Sequence, residues 1–434
     1  MSISNTTPVF AVDESNLVPV SDHLKQMADI PPSRMFLIKK SLSVYKENNP
    51  DSIIYDASQG DGGASLPGTP RPILEQAFQL QLERGTSYDM PFGNADFRKS
   101  VIEQYWKLDS SSGWGPTNVL ASVGGRDALV KAYQAMLALG HGRQGDIIMV
   151  SRVPWISYNW GPYGIGANVL RAPGDPAQGW AYSEDAIRDS VKFAESKGRK
   201  IACLVITNPD NPTGSTISVE KQVSLAKAAL EADVAFVLFD WMYHYVTDES
   251  PMNLNSFLKN FTPDELKQIL FLDGLTKSLG ASNVRNCHLI ADEAVIKFIT
   301  ARASHGVIPS FYSLAVAMAA YEIGYSEAVK TIVEPTNASR VVLKKLLAES
   351  GLQHIIGKGY YAFMNVGEFI KAKGWADSEP LGQYLAENYG VAVVPGAFFS
   401  PFGGEWIRFS YATPSERTEG AFQRLMKGLN SLKS

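Results

Sequence analysis

Six short apolar runs constrain this chain more than any other feature: NVLASVGG, DIIMVSR, NVLRAP, IACLVIT, VAFVLFD and ILFLDG. They lie between residues 85 and 300, and each is closed by a polar or glycine turn. Their residues do not alternate between apolar and polar, so strands made from them are buried on both faces. Amphipathic stretches fill the gaps: DALVKAYQAMLALG, SEDAIRDSVKFAESKG and SVEKQVSLAKAALEAD. This alternation predicts an α/β fold, a mostly parallel sheet covered by helices. From about residue 310 the pattern changes. A long helical stretch leads into GYYAFMNV, GVAVVPGAFF and EWIRFSYA, which reads as a smaller α+β domain. The expected organisation is an N-terminal arm at 1–29, a segment at 30–55 packing with the small domain, a large domain at 56–315 and a small C-terminal domain at 316–434.

Composition excludes several classes. A chain of 434 residues with 45% apolar content can bury a large core. A net charge of -4 gives no attraction to nucleic acid or to an anionic membrane surface. No apolar run approaches the roughly 20 residues of a membrane helix, and the N-terminus has no signal-peptide pattern. Cys203 and Cys287 sit in apolar surroundings without a CxxC partner, and read as buried free thiols in a reducing compartment. The expectation is a soluble cytoplasmic protein with no metal site, no nucleic acid and no membrane partner.

Ligands of such sheets gather at the carboxyl ends of the strands. The polar residues there have two readings each. Gly124 and Gly125 stand between a strand and a helix, either as a turn or as an opening for phosphate at a helix N-terminus. Trp155 follows the next strand, either as packing or as a face for a flat ring. NPDNPTG, residues 208–214, is a stiff turn, or a mount that holds the Asn211 amide still at a strand end. Asp240 ends an apolar strand, either as a helix cap or as a paired carboxylate. Tyr243 follows three residues later. Lys277 lies just past the last run, either as a solvated charge or, coming after an acid, a tyrosine and a rigid asparagine, as a functional lysine, and Arg285 follows it by eight residues. One GxGxxG match, GHGRQG at 140–145, follows a helix and precedes a strand, the wrong junction for a dinucleotide site.

Taken in order, Tyr88 and Gly93, Gly-Gly, the aromatic Trp155, NPTG, D-x-x-Y, K-x7-R and IRFS with Arg408 form a set. In that order and spacing the chain, from about Asp56 to Arg424, resembles the pyridoxal-phosphate (PLP) enzymes of fold type I, specifically the class I/II aminotransferase family.

The resemblance implies a role for each residue. Lys277 would carry PLP as a Schiff base and act as the acid–base group. Asp240 would pair with the ring nitrogen, and Asn211 and Tyr243 with the 3′-oxygen. Trp155 would stack on the ring. Gly124, Gly125, Arg126, Thr276 and Arg285 would hold the phosphate. Tyr88 would reach it from the other subunit of a homodimer with a shared active site. Gly60, in DASQGDGG, would lie near the substrate, and Arg408 would grip its carboxylate. The substrates implied are an α-amino acid and a 2-oxo acid. The chain departs from the family pattern at Gly274, where a hydroxyl residue is usual, at Asn283 and Cys287, where glycines are usual, and at Arg126, where a small residue is common. Arg126 then reads as a replacement for the missing hydroxyl, or as a surface arginine. Lyases, ring-forming synthases and amino-acid oxidases share this residue set, and a non-catalytic PLP-binding protein is a remoter alternative. No arginine occurs from Ala303 to Ser339. That leans the donor away from aspartate and toward apolar, aromatic or broad specificity, and Tyr360 and Tyr361 are either pocket or core.

Overall fold

The computed structural model describes residues 30–433. The expected arm at 1–29 lies outside the described residues. The strands are β1 (Tyr55–Asp56), β2 (Val119–Ser122), β3 (Ile147–Val150), β4 (Asn168–Arg171), β5 (Ile201–Thr207), β6 (Val237–Asp240), β7 (Ile269–Asp273), β8 (Cys287–Ile290), β9 (His354–Ile356), β10 (Tyr361–Asn365), β11 (Val391–Ala392), β12 (Val394–Pro395) and β13 (Trp406–Ser410).

All six apolar runs are strands of one seven-stranded sheet, in the order β2-β8-β7-β6-β5-β3-β4. Neighbours from β4 to β7 pair in parallel, while β8 runs antiparallel to both β7 and β2. β8 escaped the sequence reading: CHLI is four residues long and carries a histidine, so it shows neither a continuous apolar run nor an alternation. The three amphipathic stretches become the helices Gly125–Leu139, Glu184–Ser196 and Val219–Glu231. Ser183 and Ser218 start the last two by accepting backbone N–H bonds from Ala186 and Lys221. Parallel pairing points β5, β6 and β7 the same way, so their ends at Thr207, Asp240 and Asp273 share one edge of the sheet.

The smaller domain holds a four-stranded antiparallel sheet, β12-β13-β10-β9. The long helical stretch breaks at Gly324, which has φ +89°. It yields the helices Phe311–Glu322 and Lys330–Ser350 with one short turn between. Phe311–Glu322 buries Leu314, Ala317 and Tyr321 in the core of the large sheet. Lys330–Ser350 starts with Ile332 among large-domain residues and ends with Leu343 and Leu347 in the small core. We propose that the domains meet along this second helix. The helix Met35–Asn48 lies against the helix Ser378–Tyr389, and β1 pairs in parallel with β11. This brings the loop after β1 to the edge where β5, β6 and β7 end.

Candidate active site

The NPDNPTG turn is held from within. The Asn208 amide gives and takes bonds with the Ile217 backbone, at 3.2 and 3.0 Å. The Asp210 carboxylate accepts from the Thr213 amide at 3.1 Å and the Thr213 hydroxyl at 2.6 Å. Burial pushes the Asp210 carboxyl up to about 6, against the pull of those bonds. Both Asn–Pro peptides are cis. Gly214 has φ +70° and lies against the Tyr361 carbonyl, where a Cβ would collide. The fixed turn leaves the Asn211 side chain free to face Arg408: Arg408 Nη1 donates to Asn211 Oδ1 at 2.9 Å.

Arg408 lies in β13 and is buried. Its Nη2 donates to the Ser58 carbonyl at 2.7 Å, and its Nε has no partner. Its guanidinium lies 4.1 Å from the Tyr361 ring centre and 5.2 Å from that of Phe399. Every polar partner is neutral. A buried guanidinium so placed is completed by a carboxylate.

Lys277 sits in the turn of helix after β7. Its Nζ donates to the Gly60 carbonyl at 2.5 Å. Burial lowers the proton affinity of this amine, as do Arg408 and Arg126 more weakly, while Tyr361 and Asp61 act the other way. The Tyr243 ring centre is 5.9 Å from Nζ. The Tyr243 hydroxyl lies 3.1 Å from the Tyr361 hydroxyl.

Asp240 ends β6 and is buried. Its carboxylate accepts from the Met242 amide at 3.0 Å and from the Tyr158 hydroxyl. Burial dominates and pushes its carboxyl up to about 6. Trp155 is half-buried, edge-on to Tyr158 with centroids 5.5 Å apart. At the helix N-terminus, Gly124 has φ +81°, and a Cβ there would run into the Arg285 guanidinium. Arg285 donates to the Ser282 carbonyl at 2.6 Å and the Val123 carbonyl at 3.3 Å. Gly125 follows Gly124 as the first residue of the helix. Thr276 is half-buried beside Lys277, and its carbonyl accepts from Ser282 at 3.4 Å.

Two residues stand apart from this group. Arg126 is exposed, with its guanidinium 5.5 Å from the Trp155 ring centre. Asp127 beside it bonds Lys131 at 2.6 Å and the Val123 amide at 2.9 Å, not Arg126. Tyr88 is 92% exposed in the single chain. At Gly274 a Cβ would lie 2.6 Å from the Asn286 carbonyl oxygen and 2.8 Å from Cys287 Cα, so the backbone leaves no room for a hydroxyl side chain.

Three further tyrosines join the site: Tyr360 and Tyr361, which read from the sequence equally as pocket or core, and Tyr158, which carries no sequence signal of its own. Tyr158 holds Asp240. Tyr360 donates to the Lys277 carbonyl at 2.5 Å. Tyr361 touches Arg408 and Tyr243. The spacing Trp155-x-x-Tyr158, one turn of helix, could have pointed to Tyr158.

An amine of lowered proton affinity, a buried carboxyl, a rigid amide and an open guanidinium, gathered on one sheet edge, define an enzyme site of the fold type I class. A family model described as aminotransferase class I and II matches residues 63–425. The aspartate aminotransferase of Bacillus subtilis is 26% identical over 408 residues, covering 93% of this chain and 98% of its own. Aromatic-amino-acid aminotransferase 2 of Thermococcus litoralis is 26% identical over 406 residues, covering 89% and 97%. The solved structure of Thermus thermophilus aspartate aminotransferase with maleate shares the fold, with a TM-score of 0.76 at 23% identity over 93% of this chain and 98% of that one. This chain belongs to the class I and II aminotransferase family, and it is an aminotransferase. Members of the family depend on PLP. Among the described residues no helix is long and apolar enough to cross a membrane.

Proposed function

We propose that this chain holds PLP on Lys277 and moves an amino group from an apolar or aromatic α-amino acid to a 2-oxo acid, as a homodimer. One observation carries the reading. Lys277 and Arg408 both face the Asn211–Tyr243 edge, and both bond only to neutral groups.

The surrounding residues suit the cofactor. The helix N-terminus at Gly124, with Arg285 laid against it, fits a phosphate. A carboxyl pushed to about 6, with a hydroxyl and an amide as its only bonded partners, fits a protonated ring nitrogen. When bound, the group supplies an electron-withdrawing ring that stabilises negative charge at the substrate Cα. Lys277 would hold the group through its aldehyde carbon, and its amine, of lowered proton affinity, would suit moving a proton at the substrate Cα. Asp240, steadied by Tyr158, keeps the ring nitrogen protonated. Asn211 accepts from Arg408 through Oδ1, which leaves Nδ2 as a donor to the 3′-oxygen beside Tyr243. Gly124, Gly125, Thr276 and Arg285 hold the phosphate. Trp155 would lie against the ring, and the Arg126 guanidinium stands 5.5 Å from the Trp155 ring centre. Gly60 lets the substrate pass close to Lys277, and Arg408 takes its carboxylate as a bidentate pair.

Aromatic surfaces at Trp155, Tyr361 and Phe399 support the donor class. Tyr88 is the residue offered to the second subunit. Phe78 and Leu82, one turn apart on the helix Arg71–Arg84, and Met90, two residues after Tyr88, are exposed apolar side chains that suit an interface. A cytoplasmic location accords with two buried free thiols. Reduction with borohydride, digestion and mass spectrometry test the reading. The pyridoxyl label is expected on Lys277 alone; a label elsewhere, or none after incubation with PLP, overturns it.

A further inference from the structure

Four elements of the site converge on one residue to which the roles above give only a share in the aromatic surface of the donor pocket. Tyr361 opens β10, and its diagonal neighbour across the β10–β13 pair is Arg408, which sits opposite Phe363 on the same face of the sheet. The Tyr361 ring face lies 4.1 Å from the Arg408 guanidinium carbon. Its hydroxyl meets that of Tyr243 at 3.1 Å. A Cβ placed on Gly60 would stand 2.6 Å from the Tyr361 hydroxyl and 3.9 Å from Lys277 Nζ. Its carbonyl closes on Gly214, the last residue of the turn that carries Asn211. The side chain is fully buried.

We propose that Tyr361 is a positioning residue with two separable tasks: its ring fixes the plane of Arg408 for the substrate carboxylate, and its hydroxyl orients Tyr243 toward the cofactor. The inference rests on the PLP aminotransferase reading above. A guanidinium with one face against a ring keeps its N–H edge open, and a bidentate pair needs that edge in a fixed plane. Phe399 lies farther from the guanidinium, so Tyr361 is the nearer support. With Tyr361 as the donor, its O–H bonds the Tyr243 oxygen, which leaves the Tyr243 proton to point onward and, by polarising it, strengthens what Tyr243 donates. Core packing alone would not require the hydroxyl to end between Tyr243 and the Lys277–Gly60 contact.

Two variants of the holoenzyme separate the tasks. The probe is whichever of the twenty amino acids most rapidly bleaches the visible band of the wild type. In single-turnover bleaching, Tyr361→Leu is expected to weaken apparent donor binding about tenfold, and Tyr361→Phe to keep it within twofold, since the ring survives. The pH midpoint of the visible band, read without donor, reports the hydroxyl. Losing a hydrogen bond to the 3′-oxygen raises it, so Tyr361→Phe should shift it up by about half a unit or more. Tyr361 itself faces Lys277 and loses its hydroxyl in both variants, while the other titratable and charged groups there, Tyr243, Asp61, Arg126 and Arg408, are the same in both. If Tyr361→Leu does not fold, Tyr361→Met replaces it. Unchanged binding in the variant lacking the ring, or an unchanged midpoint in Tyr361→Phe, overturns the corresponding task and with it the proposal. A wild type that binds PLP on Lys277 but bleaches with no amino acid would instead fail the aminotransferase reading.

Discussion

Two buried polar clusters flank the ends of β6 and β7, and they spend their polar atoms in opposite ways. Behind the sheet edge, Asp273 accepts from the Gly274 amide at 2.6 Å, from His244 Nε2 at 2.8 Å and from the Tyr105 hydroxyl. His244 Nδ1 accepts from the Met252 amide at 3.1 Å, which assigns the ring proton to Nε2. Trp106 donates to His288 Nε2 at 3.0 Å, and Tyr245, Tyr321 and Tyr325 pack around Tyr105. In front, Lys277 and Arg408 are tied to carbonyl oxygens and one amide. The rear cluster pairs its carboxylate and His244 internally, leaving the His288 Nδ1 and the Tyr321 hydroxyl without a partner. The front one is left short of negative charge, as a site that awaits an anion must be. Stability should therefore reside behind the edge and activity before it.

The sharpest break of that contrast is Asp273→Ala against Lys277→Ala. Removing Asp273 takes the acceptor from the Gly274 amide, His244 Nε2 and Tyr105, of which the last two keep only their mutual 3.1 Å contact, and should cost about 3–5 kcal/mol of unfolding free energy. Lys277→Ala, which removes a poorly compensated cation, should cost less than about 1 kcal/mol while abolishing donor bleaching. Urea unfolding of the cofactor-free proteins measures both. Equal losses would show that the clusters are not divided in this way.

Acid tests the rear cluster next. Burial, more than its neighbour His244, lowers His288 to about 4, with Asp273 opposing. A base whose folded pKa lies below its unfolded value of about 6.5 contributes stability above 6.5 and loses it as pH falls toward 4. The loss is about 3 kcal/mol across that window. His288→Gln keeps an acceptor for Trp106 and should flatten the pH dependence; an unchanged slope between pH 6.5 and 4 would assign acid sensitivity to other groups.

The front should show the opposite sign. Asp240 has a folded pKa raised to about 6, so its ionisation penalises the cofactor-free fold as pH rises from about 4 to above 6. Asp240→Asn removes the penalty but weakens the bonds from Tyr158 and Met242. The net expectation is about 1–2 kcal/mol of added stability at pH 8, together with loss of donor bleaching. Thermal melts at pH 5 and pH 8 check it; a gain at pH 5 as large as that at pH 8 would contradict the ionisation argument.

The same contrast explains what the sequence revealed. The front residues sit at strand ends, where turn chemistry is local: NPTG announces Asn211, and a carboxylate after VLF announces Asp240. Their mutual geometry was not carried by spacing: Lys277 meets Gly60 across 217 residues and Arg408 meets Asn211 across 197, and only the order of the motifs, through the family resemblance, pointed to it. The rear cluster joins Tyr105, Trp106, His244, Asp273 and His288 by hydrogen bonds over separations of up to 182 residues, and no local pattern encodes such pairings. Tyr361 fell between the two cases. GYYAF marks a buried strand equally well whether its hydroxyl meets core or site, and only the β10–β13 register decides. The long helical stretch after residue 310 hid its break because Gly324 lies within a periodic pattern that continues on both sides.

The smallest effect concerns Arg126, at the border of the front cluster. As a phosphate ligand it would contribute a charge-assisted hydrogen bond, about 1.5–3 kcal/mol, or roughly ten- to a hundredfold in PLP affinity. The geometry favours a lesser part. Its guanidinium is exposed over Trp155, and it is Arg285 that lies against Gly124. An exposed cation–π contact is worth about 0.5–1 kcal/mol, so Arg126→Ala should weaken PLP about two- to fivefold. The change should vanish when Trp155 is also replaced by leucine, because the arginine then has no ring to cover. Gly274→Ser does not restore a phosphate hydroxyl in this backbone. Its side chain would meet the Asn286 carbonyl and Cys287, so it should destabilise the fold instead. Equilibrium PLP dissociation from the single and double variants separates the alternatives: a loss of tenfold or more that persists without Trp155 would place Arg126 on the phosphate.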